Sequence, residues 1–330
     1  MIIIFAVFLL TLLVITAIGI VRAENLFVAV MLTSIFSLIM AANFFILDAA
    51  DVALTEAAIG AGVTTVIFLG ALSLTAEREK KVDVSRGLAI CVVVATALVL
   101  IYATFDKPRL GDPEAPVHQH VAPWYLSETE TLIGIPNVVT AVLGSYRAYD
   151  TLGEVFVVLA ACIGVLFLFS ARREKKNDNT LNSLTSPKSI GLQHHFIPRV
   201  VGRILLPFII LFGLYVQFHG EYGPGGGFQA GAILATGIIL FALLEGEQRA
   251  LAAIPSRALL WMVAGGAMLY SLVGVVGLLL GGNFLDYSVL STDPVFGQQI
   301  GIILIELGVG ITVCGALLSI FHAFAARENY

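Results

Sequence analysis

His219-Gly220-Glu221-Tyr222-Gly223-Pro224-Gly225-Gly226-Gly227-Phe228 separates two apolar runs, Val200 to Phe218 and Phe228 to Leu244. Each run is close to the roughly 20 residues that a membrane-spanning helix needs. Pro224 removes a backbone donor and three consecutive glycines remove side-chain constraint, so no helix continues through this stretch. Irregular backbone survives at membrane depth only against protein or water. The stretch is therefore either a turn outside the bilayer or a protected break within it, and both readings make a pair of spanning helices.

The same pattern extends in both directions. Further apolar runs lie at Ile2 to Val21, Leu26 to Leu47, Val52 to Leu74, Gly87 to Phe105, Leu152 to Ser170, Ala258 to Leu280 and Ile300 to Phe324. This predicts an all-α, polytopic protein of about nine spans. With 58% hydrophobic and 12% charged residues, the chain is far from the roughly 25% charged composition of soluble domains. The first run has no basic residue before it and no small-residue cleavage site after it, and so reads as a retained helix.

Lys and Arg set orientation. With loops assigned alternately, one side holds Arg22, Arg78, Lys80, Lys81, Arg86, Arg172, Arg173, Lys175, Lys176, Lys188, Arg199, Arg203, Arg249, Arg257 and Arg327. The other holds only Lys107, Arg109 and Arg147. The expected arrangement is an outside N-terminus and a cytoplasmic C-terminus, which requires an odd number of spans. The net charge of -5 and the absence of a basic surface argue against nucleic-acid binding. Cys91, Cys162 and Cys314 fall in spans without CxxC spacing, so they read as packing residues, with no tightly bound metal, haem or iron-sulfur cofactor expected.

Composition divides the chain into 1–82 with three helices, 83–171 with two helices and a long outward segment, a polar linker at 172–194, and 195–330 with four helices. Asn137 to Asp150 reads as an amphipathic helix along the outer interface, with Val138, Val139, Val142, Leu143 and Tyr146 at helical spacing. Glycines at Gly60, Gly62, Gly265, Gly266, Gly274, Gly277, Gly301 and Gly308 predict close helix association.

A carboxylate at membrane depth costs about 2.5–3.5 kcal/mol on insertion scales, so one found there faces a cavity, a partner or an ion path. Glu306 is the deepest, about 11 Å along its helix from Gln299 at 1.5 Å per residue. Glu56 comes next, with Gly60 and Thr64 at i+4 and i+8 on one face, and Asp48 and Asp51 at the mouth of the same helix. These make Asp51, Glu56, Thr64 and Glu306 the candidate cation or proton path. A structural hydrogen bond or ion pair is the competing reading for both glutamates. Asp48, His219, Glu221, Glu154 and Glu245 are secondary candidates, the last two near helix ends where they also reach water. The break Pro224, Gly225, Gly226, Gly227 lacks the Lys and GK[ST] ending of a phosphate loop. No Lys lies inside a span, so a complete proton half-channel is not expected in this chain alone.

His219-Gly220, then Pro224 to Gly231, together with Ile302 to Gly310, resemble the MnhB/MrpB family, the B-type component of Mrp multisubunit cation/proton antiporters, over about residues 195–325. Asp51 to Gly60 resembles the D-type component of membrane-bound hydrogenases, equivalent to the C-terminal part of the A-type Mrp component. Asn137 to Leu143 with Tyr146 to Glu154 is similar to the neighbouring E-type region. The resemblance implies a fused subunit of a sodium/proton antiport module in a prokaryotic inner membrane. Its partners would be other Mrp-like subunits, the lipid bilayer, Na+ and H+, and it would be a transporter rather than an enzyme. Where the family has His-Gly-His, this chain has His219-Gly220-Glu221, which puts Glu221 in the place of a ligand. Two alternatives remain open: a scaffold without transport chemistry, and the membrane arm of a redox complex related to hydrogenases and complex I.

Overall fold

In a computed structural model of the protein, residues 2–72, 78–79, 86–109, 111–174 and 196–328 are described. They form α1 (Ile2–Arg22), α2 (Leu26–Ile46), α3 (Ala50–Thr55), α4 (Thr64–Leu72), α5 (Arg86–Phe105), α6 (Pro116–Gln119), α7 (Val121–Leu132), α8 (Val138–Ala141), α9 (Ala148–Glu174), α10 (Phe196–His219), α11 (Gly227–Glu245), α12 (Glu247–Ala253), α13 (Ser256–Leu279) and α14 (Pro294–Glu328). Glu56–Val63 and Val142–Tyr146 are π-helical, and a short 3₁₀ turn, Tyr287–Leu290, precedes α14. The one isolated extended pairing among the described residues is a bridge between Asn25 and Arg78. Nine helices among the described residues are long and apolar enough to cross a membrane, so the chain is an all-α, multi-pass membrane protein.

The core forms around α14, which packs against α13, α11 and α9. Ile302, Ile305, Val309 and Val313 enter one apolar cluster, and Cys314, Leu318 and Phe321 enter another. Lipid is as apolar as leucine, so helices here gain little from burying side chains and rely on close packing. Glycine supplies it. A Cβ at Gly227 would overlap the Glu306 carbonyl oxygen, and one at Gly231 would lie 2.6 Å from Gly310 O. Gly266 of α13 meets Gly308 O at 2.5 Å in the same sense. Gly265, grouped with it by sequence, faces open space.

The second and third spans behave differently from their hydropathy. α2 carries Ser34 and Ser37 toward the π-helical stretch that follows α3, while its buried Asn43 donates to Ile39 O within α2. A π turn bonds i to i+5 and disturbs the usual partners of nearby carbonyls. Ala61 O is satisfied by Ser34 Oγ at 3.1 Å and Thr65 Oγ1 at 3.0 Å. The π turn departs from the 3.6 residues per turn assumed for the Glu56, Gly60, Thr64 stripe, yet the Glu56 carboxylate still lies against Gly60.

The amphipathic helix expected over 137–150 is not a single interfacial element. It is α8, a π turn and a break at Arg147 before α9 begins. Thr140, Ala141 and Gly144 are buried, and Gly144 lies against Ile302 and Ile305 of α14. Val139 and Leu143 stay exposed. The small residues do the packing because α14 approaches too closely for valine or leucine. In contrast, Gly87–Phe105 of α5 has no buried residue, and Cys91 there is exposed rather than packed. The connector expected at 172–194 lies outside the described residues from 175 on, as do Lys80, Lys81, Lys175, Lys176 and Lys188.

Candidate functional site

The chain between α10 and α11 folds as a tight turn with Gly225, Gly226 and Gly227 buried and Pro224 exposed. Gly226 adopts φ +123°, a region open to glycine and strained for other residues. His219 O accepts the amides of Tyr222 at 2.9 Å and Gly223 at 3.1 Å, and Val216 O accepts that of Gly226 at 3.1 Å. The break is thus a hairpin turn in which the amides of Tyr222, Gly223 and Gly226 are satisfied by backbone carbonyls.

Three carboxylates surround it. Asp51, in the first turn of α3, accepts the amide of Gly225 at 3.1 Å. Glu306 of α14 lies against the bare faces of two glycines: Oε2 is 3.2 Å from the Cβ position of Gly220 and Oε1 3.3 Å from that of Gly226. Glu221 is on the turn itself, with Oε1 buried and without a hydrogen-bond partner. Glu306 is close enough to feel the charges of both Glu221 and Asp51. Burial pushes the Glu221 carboxyl above the usual carboxylate range.

A cavity of about 50 Å³ between α10 and α14 is lined by Gln217, Phe218, Glu221, Ile303, Glu306 and Leu307. A water requires roughly 10–15 Å³ of such space. Gly225 N–H is taken by Asp51 and Gly226 N–H by Val216, so the turn gives Glu306 neither donor. Among the described residues Asp51, Glu221 and Glu306 form no ion pair. No group of three or more His, Cys, Asp or Glu among the described residues is arranged to hold a metal ion.

The structure divides the sequence candidates. Asp51, Glu221 and Glu306 come together at the turn, whereas Glu56 points elsewhere. Its Oε1 lies 2.5 Å and Ser37 Oγ 2.7 Å from the Cβ position of Gly60, so glycine makes room for a carboxylate and a hydroxyl to converge. Thr64 makes no side-chain hydrogen bond among the described residues. Asp48 is exposed at the α2 to α3 turn with φ 57°, a conformation that short polar side chains tolerate. His219 stacks on Tyr215 at 4.6 Å between ring centroids. Glu154 is exposed on α9, near Asp150, which is paired with Arg147.

Glu245 is the centre of an ion-pair network. It binds Arg199 at 3.1 Å, Arg203 at 2.5 Å and Arg249 at 2.5 Å, joining α10, α11 and α12. Glu245→Gln leaves three guanidinium groups without their counter-charge. It is expected to lower the melting temperature of the detergent-solubilised protein while leaving activity per folded molecule unchanged, a contrast read by thermal-shift and transport assays together.

Sequence reading missed Ser37, Asn137, Thr140 and Gln217. The hydroxyls at Ser34 and Ser37, three residues apart inside an apolar run, were a legible signal. Asn137 and Thr140 were hidden by the valines around them.

The comparisons with known proteins fit this layout. Residues 11–77 match the MbhD family and residues 83–187 the MbhE family, both components of MBH, and residues 197–319 match a domain related to the MnhB subunit of Na+/H+ antiporters. The probable A/B subunit of a K(+)/H(+) antiporter of Rhizobium meliloti is 27% identical over 319 residues, covering 88% of this chain and 31% of that protein. The Mrp complex from Dietzia sp. DQ12-45-1b superposes with a TM-score of 0.75 at 27% identity, over 96% of this chain and 34% of that one. A chain of the membrane-bound sulfane sulfur reductase, an archaeal respiratory membrane complex, gives 0.53 at 29% identity, over 71% of this chain and 95% of its own. The chain spans about a third of the length of the Rhizobium relative. The three matches follow one another along the sequence, so regions similar to MbhD, to MbhE and to the MnhB-related domain are joined in a single polypeptide.

Proposed function

We propose that the chain is a subunit of an Mrp-type antiport module, a transporter component that works with other membrane subunits to exchange a monovalent cation for protons. The observation that carries this reading is the group Asp51, Glu221 and Glu306 around the glycine turn, with Glu221 and Glu306 in no ion pair among the described residues and both lining one small cavity with Gln217. An unpaired carboxylate in a low-dielectric setting is costly. Its retention is accounted for when a proton or small cation provides the missing charge. Glu56, Ser37 and the π turn form a second carboxylate station, and π-helical insertions recur at functional sites. The distribution of Lys and Arg supports an outside N-terminus and a cytoplasmic C-terminus in a prokaryotic inner membrane.

Hard oxygen donors suit Na+ or K+, and the relatives name both. In everted vesicles containing the assembled module, proton exchange is measured on addition of each cation. Glu56→Gln is expected to abolish exchange while the complex remains assembled, and unchanged exchange in that variant refutes the role given to Glu56. The likeness to the sulfane sulfur reductase complex supports a second reading, in which the same ion path is the membrane arm of a redox enzyme. Copurification of redox-active subunits with this chain under mild detergent decides for that reading.

A further inference from the structure

The segment from Gly134 to Ser145 is bonded to both elements that carry the pocket. On one side it holds the glycine turn. Asn137 Nδ2 donates to Gly220 O and Gly223 O, both at 2.9 Å, and the Asn137 amide donates to Glu221 O at 3.0 Å. Thr140 Oγ1 adds a bond to Gly220 O at 2.7 Å. On the other side the segment holds the start of α14. Gln299 Nε2 donates to Gly134 O at 2.9 Å, and Ser145 Oγ donates to Gln298 Oε1 at 2.8 Å.

These contacts join residues at least 80 positions apart, and they cross from the region matching MbhE into the region matching the MnhB-related domain. The Gly220 and Gly223 carbonyls are turned toward Asn137 and Thr140 and away from the cavity. We infer that Asn137 and Thr140 are positioning residues that fix the glycine turn against α14 and so set the spacing of Glu221 and Glu306. The region matching MbhE thereby governs a pocket to which it contributes no carboxylate.

This positioning role deepens the proposed function and rests on it only for the transport readout. Glu221 faces Glu306 of α14 and Gln217 of α10 across the cavity, while Asp51 of α3 is bonded to the same turn and His219 precedes it. Releasing the turn admits water to Glu221 and moves it from Glu306. Burial favours the protonated Glu221 carboxyl, so admitting water shifts its titration toward lower pH.

Dicyclohexylcarbodiimide reacts with protonated carboxyl groups, and peptide mass spectrometry locates the modified residue. The probe is applied across a pH series to membranes containing the full chain and its partners. Ser caps a helix about as well as Asn but lacks the amide donors, so Asn137→Ser spares α8 and removes the two carbonyl bonds. Asn137→Ser with Thr140→Val is expected to move half-labelling of Glu221 down by about one pH unit. Thr140→Ser is expected to retain the parent profile. If the double variant fails to accumulate, Thr140→Val alone, which removes one bond, is read for a smaller shift in the same direction.

An unchanged labelling profile in the assembled variants overturns the inference even where transport falls, because the bonds are then merely structural. A shifted profile in a parent protein that exchanges no cation sustains the positioning role and removes the transport reading instead.

Discussion

Glu306→Gln is expected to reduce cation-dependent proton exchange by about two orders of magnitude, the scale on which removing a proton-transferring group acts. The variant should be at least as stable as the parent. Glu306 is partly buried beside Glu221 and Asp51 with no ion pair among the described residues, so its charge adds repulsion and desolvation cost to the folded state. Glutamine keeps the shape and removes the charge. Loss of exchange with an unchanged or raised melting temperature identifies a group kept for function at the expense of stability. Retained exchange with a lower melting temperature shows instead that the carboxylate is a structural element. Both quantities are measured on the same detergent-solubilised and vesicle-reconstituted complex.

The second large effect falls on folding. At Gly227, an added Cβ overlaps the backbone carbonyl of Glu306 and lies 3.0 Å from the amide of Gly310. Neither obstacle is the end of a flexible side chain, so Gly227→Ala must force α11 and α14 apart. Over-packing typically costs about 1–3 kcal/mol, and here the separation also opens the glycine turn one residue away. The variant is expected to accumulate poorly, or to lose its partners on size-exclusion chromatography after mild heating. Gly265→Ala provides the control, since nothing lies within 4 Å of its Cβ position. Equal behaviour of the two variants would show that the α11 to α14 crossing tolerates looser packing than the structure indicates.

Two carboxylates of the site were legible for different reasons. Glu306 stands alone in a long apolar run, where a charge is conspicuous against hydrocarbon. Glu221 was visible only as a departure from His-Gly-His in a glycine-rich turn. Asp51 was placed at the mouth of its own helix, which is right for position along the chain but silent about Gly225, its partner 174 residues away. Spacing along the helix grouped Asp51 with Glu56, but it could not give the neighbours each one meets, Gly225 for Asp51 and Ser37 beside Gly60 for Glu56. Glu245 was an ambiguous carboxylate until three arginines, two on α10 and one on α12, were seen around it.

The sequence by itself determined the membrane-spanning, all-helical character, the nine spans and the interruption between α10 and α11. Each follows from local properties, namely the apolar length needed to cross a bilayer and the inability of Pro224 and the glycines to continue a helix. Only the tertiary structure decided which carboxylates share a pocket, which face of 137–146 is packed, and which glycines are crossings. Those depend on contacts between residues far apart in the chain, where helix rotation by a single π turn or the approach of one backbone to another changes the partner entirely.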